Sequence, residues 1–128
     1  MSADLFQAAC TAMARSHSPY SKFPVGAAIR STAGNIYAGC NIENASYPEG
    51  WCAETSAISH MIVGGDTRIA EILVVAERME KITPCGGCRQ RLSEFAQPDV
   101  PVHLCDANGV AETVTLAQLL PANFELDA

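Results

Sequence analysis

Two short stretches constrain this chain more than anything else in it: Cys52-Ala53-Glu54, and downstream Pro84-Cys85-Gly86-Gly87-Cys88. A Cys-x-x-Cys pair at a helix start closes readily on one tetrahedral Zn²⁺, and Cys52 adds a third thiolate while leaving the fourth position open to water. Any fold that satisfies this must bring two distant segments to one point. An open position marks a catalytic centre, and there the nearby carboxylate of Glu54 can carry protons between water and a leaving amine. The spacing is therefore read as one Zn²⁺ per chain, held by Cys52, Cys85 and Cys88, with Glu54 as the catalytic residue.

The periodicity around these stretches alternates between helix and strand. Leu5, Ala8, Ala9, Ala12 and Met13 recur at helical spacing between Ala3 and Arg15, with Ser2 placed to cap the start. A proline-bearing loop through Ser18-Pro19 and Phe23-Pro24 leads into two apolar runs, Val25 to Ile29 and Ile36 to Ile42, joined by Ala33-Gly34-Asn35 as a hairpin. A second helix is predicted from about Cys52 to Val63, stopped by Gly64-Gly65. Ile69 to Ala76 is almost continuously apolar and reads as a central strand covered on both faces. A third helix from about Cys85 to Ala96 follows, then strands at Val100 to Cys105 and Val110 to Leu116 and a short helical piece at Ala117 to Leu120. This order predicts an α/β fold with a mixed sheet, parallel pairs lying beside the opening hairpin. Both cysteine stretches fall at predicted helix N-termini, where sites in such folds gather.

Length and charge narrow the rest. A chain of 128 residues fits one domain spanning 1–128. The formal charge of −6, with only eight Lys and Arg, argues against nucleic acid as a partner, and no basic, aromatic-studded groove is apparent for a single strand. No apolar run approaches the roughly 18 residues of a membrane span, and residues 1–15 lack the pattern of a secretory leader, so a cytoplasmic location without membrane association is expected. Cys10, Cys40 and Cys105 sit in apolar contexts and are read as ordinary core. None of the three histidines is assigned to the site, and Trp51 is left unassigned.

Three thiolates and Zn²⁺ sum to a negative centre, which weakens the metal as a Lewis acid unless something offsets it. Helix N-termini contribute partial positive charge and N–H donors to sulfur, and Arg89, beside Cys88, can add a full charge. A zinc site that only staples the fold would need a fourth protein ligand from His60, His103 or Cys105. His60 lies about two helical turns, roughly 12 Å, beyond Cys52 and cannot share its ion.

The Cys52-x-Glu54 element followed by Pro84-Cys85-x-x-Cys88 matches the zinc nucleobase deaminase signature in its three-cysteine form. From about Pro19 to Phe124 the chain resembles the short, homotetrameric type of cytidine deaminase. Pro19-Tyr20-Ser21-x-Phe23-x-Val25-Gly26-Ala27-Ala28 is similar to the family's opening motif, and Asn41-Ile42-Glu43-Asn44-Ala45-Ser46-Tyr47 to its ribose-binding segment. Leu119-Leu120-Pro121-x-x-Phe124 resembles its C-terminal motif. The resemblance implies a three-layer α/β/α sandwich around a central five-stranded mixed sheet. It also implies zinc-dependent hydrolysis of cytidine and deoxycytidine to uridine and deoxyuridine with release of ammonia, as in pyrimidine salvage. By the same resemblance Asn41 and Glu43 hold ribose hydroxyls, Phe23 packs on the pyrimidine, Tyr47 lies in the substrate site and the Ala53 backbone faces the amino group. Phe124 reaches the base in a neighbouring subunit, so that a homotetramer shares its active sites.

One position departs from the family pattern. Where the family carries Arg after the catalytic Glu, hydrogen-bonded to zinc thiolates, this chain has Thr55, which places more of the offset on Arg89. Pro48-Glu49-Gly50-Trp51 also differs from the usual link, which bears on pocket shape. Two alternatives follow: a deaminase of a modified or antibiotic cytosine nucleoside with the same fold, or a non-catalytic zinc-stapled interaction module.

Overall fold

A computed structural model describes residues 2–78 and 81–126, the side chain of Ser2 excepted, so the expected Ser2 cap lies outside what is described. The elements run α1 (Ser2–Met13), β1 (Val25–Ser31), β2 (Ile36–Cys40), a 3₁₀ turn (Tyr47–Glu49), α2 (Ala53–Val63), β3 (Ile69–Ala76), α3 (Gly86–Phe95), β4 (Pro101–Asp106), β5 (Gly109–Thr115) and α4 (Leu116–Leu119). Element types and order follow the periodicity, and the 3₁₀ turn in the Pro48 loop is additional. The β1–β2 turn uses Gly34 at φ +93°, and α2 ends where Gly64 caps the His60 carbonyl and Gly65 enters the left-handed region at φ +97°.

The five strands form one sheet in the order β2-β1-β3-β4-β5. β1 pairs antiparallel with both β2 and β3, β3 pairs parallel with β4, and β5 returns antiparallel on β4. The sheet is therefore mixed as expected, but the expectation of parallel pairs beside the hairpin is corrected: only β3 and β4 pair in parallel. After β2 the chain passes through α2 and sets β3 on the far side of β1, so the hairpin's inner strand is flanked by antiparallel neighbours.

Alternation along the strands sorts side chains into two layers. Ile29, Ile72, Val74, Val102 and Leu104 pack beneath α2 and α3 with Ala57, Met61 and Leu92, whereas Ala28, Leu73, Val75 and Cys105 pack against Leu5 and Ala9 of α1. Cys105 is fully buried and burial pushes its thiol up to about 12, as suits a core cysteine. His103 donates or accepts within a surface network with Glu71 at 2.6 Å and Thr113 at 2.8 Å, and no histidine among the described residues joins the cysteine group.

The registers put Val25 beside Ala76 and Gly26 beside Cys40, with Val75 beside Cys105. The carboxyl ends of β2, β3 and β4 thus share one edge, and α2 and α3 both start there. Gly39 lets α2 settle at this edge, because a Cβ on it would lie 2.5 Å from the Ala57 amide nitrogen and 2.7 Å from the Ala53 carbonyl. Gly39→Ala must lift the helix that carries Cys52 and Glu54. Its expected result is a loss of about 1–3 kcal/mol of stability in denaturant unfolding, the usual scale of overpacking; an unchanged midpoint would show that α2 tolerates displacement.

Candidate active site

Cys52 and Cys85 occupy equivalent places, the N-caps of α2 and α3, in extended conformations (φ −75°, ψ 155° and φ −67°, ψ 166°). Neither sulfur caps its own helix. Cys88 follows in the first turn of α3, fully buried, while Cys52 is half-buried and Cys85 exposed. The three sulfurs lie within 4.8 Å of one another, and Cys52 Sγ and Cys85 Sγ are 3.7 Å apart. A tetrahedral ion with Zn–S bonds near 2.3 Å sets its sulfurs about 3.8 Å apart, so the donor set fits zinc in both chemistry and spacing. Among the described residues this is the only group of three or more Cys, His, Asp or Glu with ligand atoms so close, and no fourth such residue completes it. Cys52 and Cys85 stand at the N-termini of α2 and α3, where the positive end of the helix dipole favours a thiolate.

Glu54 stands one residue inside α2 and is 5% exposed. Burial raises its carboxyl above the ordinary range, opposed by its own backbone amide, by a hydrogen bond with Cys88 and by the charge of Arg91. A carboxyl so placed is able both to take and to return a proton. It lines a cavity of about 180 Å³ with Ala53, Cys52, Cys85, Val25 and Ile82. A second cavity of about 230 Å³ adjoins it through Asn41 and Cys52 and is bordered by Glu43, Tyr47 and Trp51.

The polar residues of the second cavity are held by hydrogen bonds within the chain. Asn41 Oδ1 accepts from the Val25 amide at 2.9 Å and from Ser16 Oγ, and its Nδ2 donates to the Phe23 carbonyl at 2.9 Å. Glu43 accepts from the Tyr20 and Ser21 amides at 3.0 and 3.2 Å and from the Ser21 hydroxyl, which holds its carboxyl below the usual range. Ser16 and the 18–23 loop thus fix the Asn41 and Glu43 side chains, a role for Ser16 and Ser21 that the sequence pattern did not reveal.

The remaining residues singled out in the sequence are distributed unevenly. Phe23 is half-buried and meets Asn41 through its backbone, but it lines neither cavity. Tyr47 is 62% exposed, its ring edge-on to Tyr20 at 6.1 Å. Phe124 is 67% exposed and borders a separate cavity of about 480 Å³ against α3 and α4, so it stands apart from the cysteine group of its own chain. Arg89 donates to the Pro84 carbonyl at 2.7 Å and the Leu119 carbonyl at 2.9 Å, tying the Cys85 loop to α4. The guanidinium that reaches a cysteine sulfur is instead that of Arg91, a residue the sequence pattern did not single out. Its spacing three residues after Cys88 on one helix face was the available signal.

Residues 2–104 match the model of the cytidine and deoxycytidylate deaminase zinc-binding region. A cytidine deaminase of Sporosarcina psychrophila is 44% identical over 106 residues, covering 83% of this chain and 78% of the relative. Among solved structures, cytidine deaminase from Burkholderia pseudomallei superposes with a TM-score of 0.89 at 38% identity, over 94% of this chain and 97% of that one. Cytidine deaminase from Mycobacterium tuberculosis gives a TM-score of 0.86 at 32% identity, over 96% of each chain.

Proposed function

The chain belongs to the cytidine and deoxycytidylate deaminase family, and we propose that it deaminates cytidine and deoxycytidine hydrolytically to uridine and deoxyuridine, releasing ammonia. The observation that carries this reading is a cluster of three cysteine sulfurs, two of whose residues line one cavity with the buried carboxyl of Glu54. Zn²⁺ on Cys52, Cys85 and Cys88 would supply Lewis acidity and an activated water.

The chain's own residues then divide the remaining work. Glu54 takes a proton from the attacking water and delivers it to the ring nitrogen so that the adjacent carbon becomes electrophilic. It then takes the second proton, from the hydroxyl newly bonded to that carbon, and gives it to the departing amine as the carbonyl forms and the C–N bond breaks. The Ala53 backbone, at the first turn of α2, faces that amine. In the second cavity Glu43 keeps lone-pair capacity for a sugar hydroxyl beyond its bonds to residues 20 and 21, and Asn41 keeps one N–H. Tyr47 supplies aromatic surface at the rim of the second cavity, and Phe23, whose carbonyl accepts from Asn41, is the ring proposed to pack on the pyrimidine.

Completion of the site by Phe124 of another subunit, in a homotetramer, accounts for the exposure of that ring. It equally accounts for the apolar surface left by Tyr20, Ile42, Tyr47 and Trp51, all at least 45% exposed beside the second cavity. All six cysteines are free, which suits the reducing cytoplasm and a place in pyrimidine salvage there. No helix among the described residues is long and apolar enough to cross a membrane. A second reading, a modified or antibiotic cytosine nucleoside as substrate, is favoured by one observation: Trp51 borders the second cavity while 46% exposed.

Incubating the purified protein with cytidine and following the ultraviolet change to uridine tests the leading reading. Chelator-sensitive turnover is expected. A zinc-loaded protein inert toward cytidine but active on a blasticidin-type or 5-substituted nucleoside would transfer the assignment to the second reading.

A further inference from the structure

Arg91 occupies a place that ordinary helix electrostatics disfavours. Side chains on a helix lean toward its N-terminus, and the Arg91 guanidinium leans back over Gly87: a Cβ on that glycine would lie 3.4 Å from Nη1, 3.6 Å from Cζ and 3.7 Å from Nη2. A cation over the first turn of a helix faces the positive end of the macrodipole. Something negative must hold it there, and its contacts identify what. Arg91 Nη1 lies 3.0 Å from Thr55 Oγ1 and 3.9 Å from Cys88 Sγ, and Thr55 Oγ1 is itself 3.5 Å from the same sulfur.

The hydrogen-bond inventory gives this triangle a direction. A guanidinium only donates, so the Thr55 oxygen accepts from Arg91 and its own hydrogen is free to point at Cys88. Thr55 is 6% exposed and Cys88 fully buried, so the Thr55 link to the sulfur operates away from bulk water, while the exposed Arg91 reaches in to it from the surface. Arg89, one residue from Cys88, has its donors on two backbone carbonyls.

We infer that Arg91, acting directly and through the Thr55 hydroxyl, is the positioning residue that offsets the charge of the Cys88 thiolate and so sets how tightly the chain retains zinc. The inference rests on the reading of Cys52, Cys85 and Cys88 as zinc ligands. Arg91 lines neither the cavity at Glu54 nor the one at Glu43. Its charge is also felt by the Glu54 carboxyl, but its hydrogen bonds go to Thr55 and the Cys88 sulfur, so its effect on zinc retention runs through a ligand, as outer partners of metal sites generally act.

The experiment measures zinc transfer from purified, zinc-loaded protein to the colorimetric chelator 4-(2-pyridylazo)resorcinol, with stoichiometry by atomic absorption. Arg91→Ala is expected to raise the transfer rate on the order of 10-fold or more, the usual scale for loss of an outer partner. Arg91→Lys, which keeps the charge without the planar fork, should fall between that variant and the parent. Thr55→Val should also speed transfer, and the double variant should fall short of the product of the two single effects, since both remove parts of one chain of bonds. Arg68→Ala, an exposed charge change outside the cysteine group, serves as the control and should match the parent. Transfer from Arg91→Ala within about twofold of the parent, or fully multiplicative effects in the double variant, would overturn the inference. A parent protein that takes up no zinc at all would overturn the zinc reading itself, and the inference with it.

Discussion

Glu54→Gln is expected to lower kcat for cytidine on the order of 10³-fold while the chain keeps one zinc, a loss within the range that general acid–base catalysis supplies. The amide matches the carboxyl in size and still makes hydrogen bonds, so the first turn of α2 and the cysteine group should be undisturbed. What it cannot do is accept a proton and return it. Four proton movements converge on this one group, in from water and from the hydroxyl added to the ring carbon, out to the ring nitrogen and to the leaving amine, and the 5% exposure of Glu54 leaves little room for solvent to substitute. Because the loss concerns a group acting in the transition state, kcat and kcat/KM should fall together. Steady-state kinetics on the variant, paired with its zinc content, checks this. Full turnover with zinc in place would remove Glu54 from the chemistry, and loss of zinc would make it a structural support of the cysteine group instead.

The parts of this molecule legible in its sequence are those where local chemistry and topology agree. Ile69–Ala76 emerges as β3 because a strand covered on both faces is apolar throughout. The starts of α2 and α3 are legible because the cysteine spacing demands helix N-termini, and both cysteines there adopt the extended backbone of a cap. The pairing partner of β1 was not legible. The hairpin and α2 are compatible with β3 on either side of it, and no residue within β3 records which side is taken. Charge partners were harder still. Arg89 is next to Cys88 in sequence, yet adjacent residues on a helix point about 100° apart, and its guanidinium finds the carbonyls of Pro84 and Leu119. Arg91 shares a face with Cys88 and reaches its sulfur. The same holds for Ser16 and Ser21: their spacing to Asn41 and Glu43 has no local meaning until β1 and β2 pair and bring Ser16 and the 18–23 loop against those two side chains.

Stripping the zinc should abolish turnover and also lower the thermal midpoint by about 10 °C, because the metal joins parts of the fold that are otherwise joined by packing and a few side-chain hydrogen bonds. Cys52 begins α2, while Cys85 and Cys88 begin α3, and the two helices reach the site from different connections at the sheet edge. A ligand present at about 1,000 times its dissociation constant and bound only by the folded chain stabilises by about 4 kcal/mol. For a chain of this size each kcal/mol is worth roughly 3 °C. Cys88 is fully buried, and its thiol is pushed above the usual range by its bond with Cys52 and by burial. The fold should nevertheless survive, since the sheet core of Ile29, Ile72, Val74 and Val102 is built without the metal. Calorimetry before and after chelation, with cytidine turnover and zinc content on the same samples, separates the two effects. Added Zn²⁺ should restore both the midpoint and the activity. Turnover that persists in a sample shown to be zinc-free would end the zinc-dependent hydrolytic mechanism, and an unchanged midpoint would mean that packing and the Arg91–Thr55–Cys88 contacts hold α2 and α3 in place without the metal.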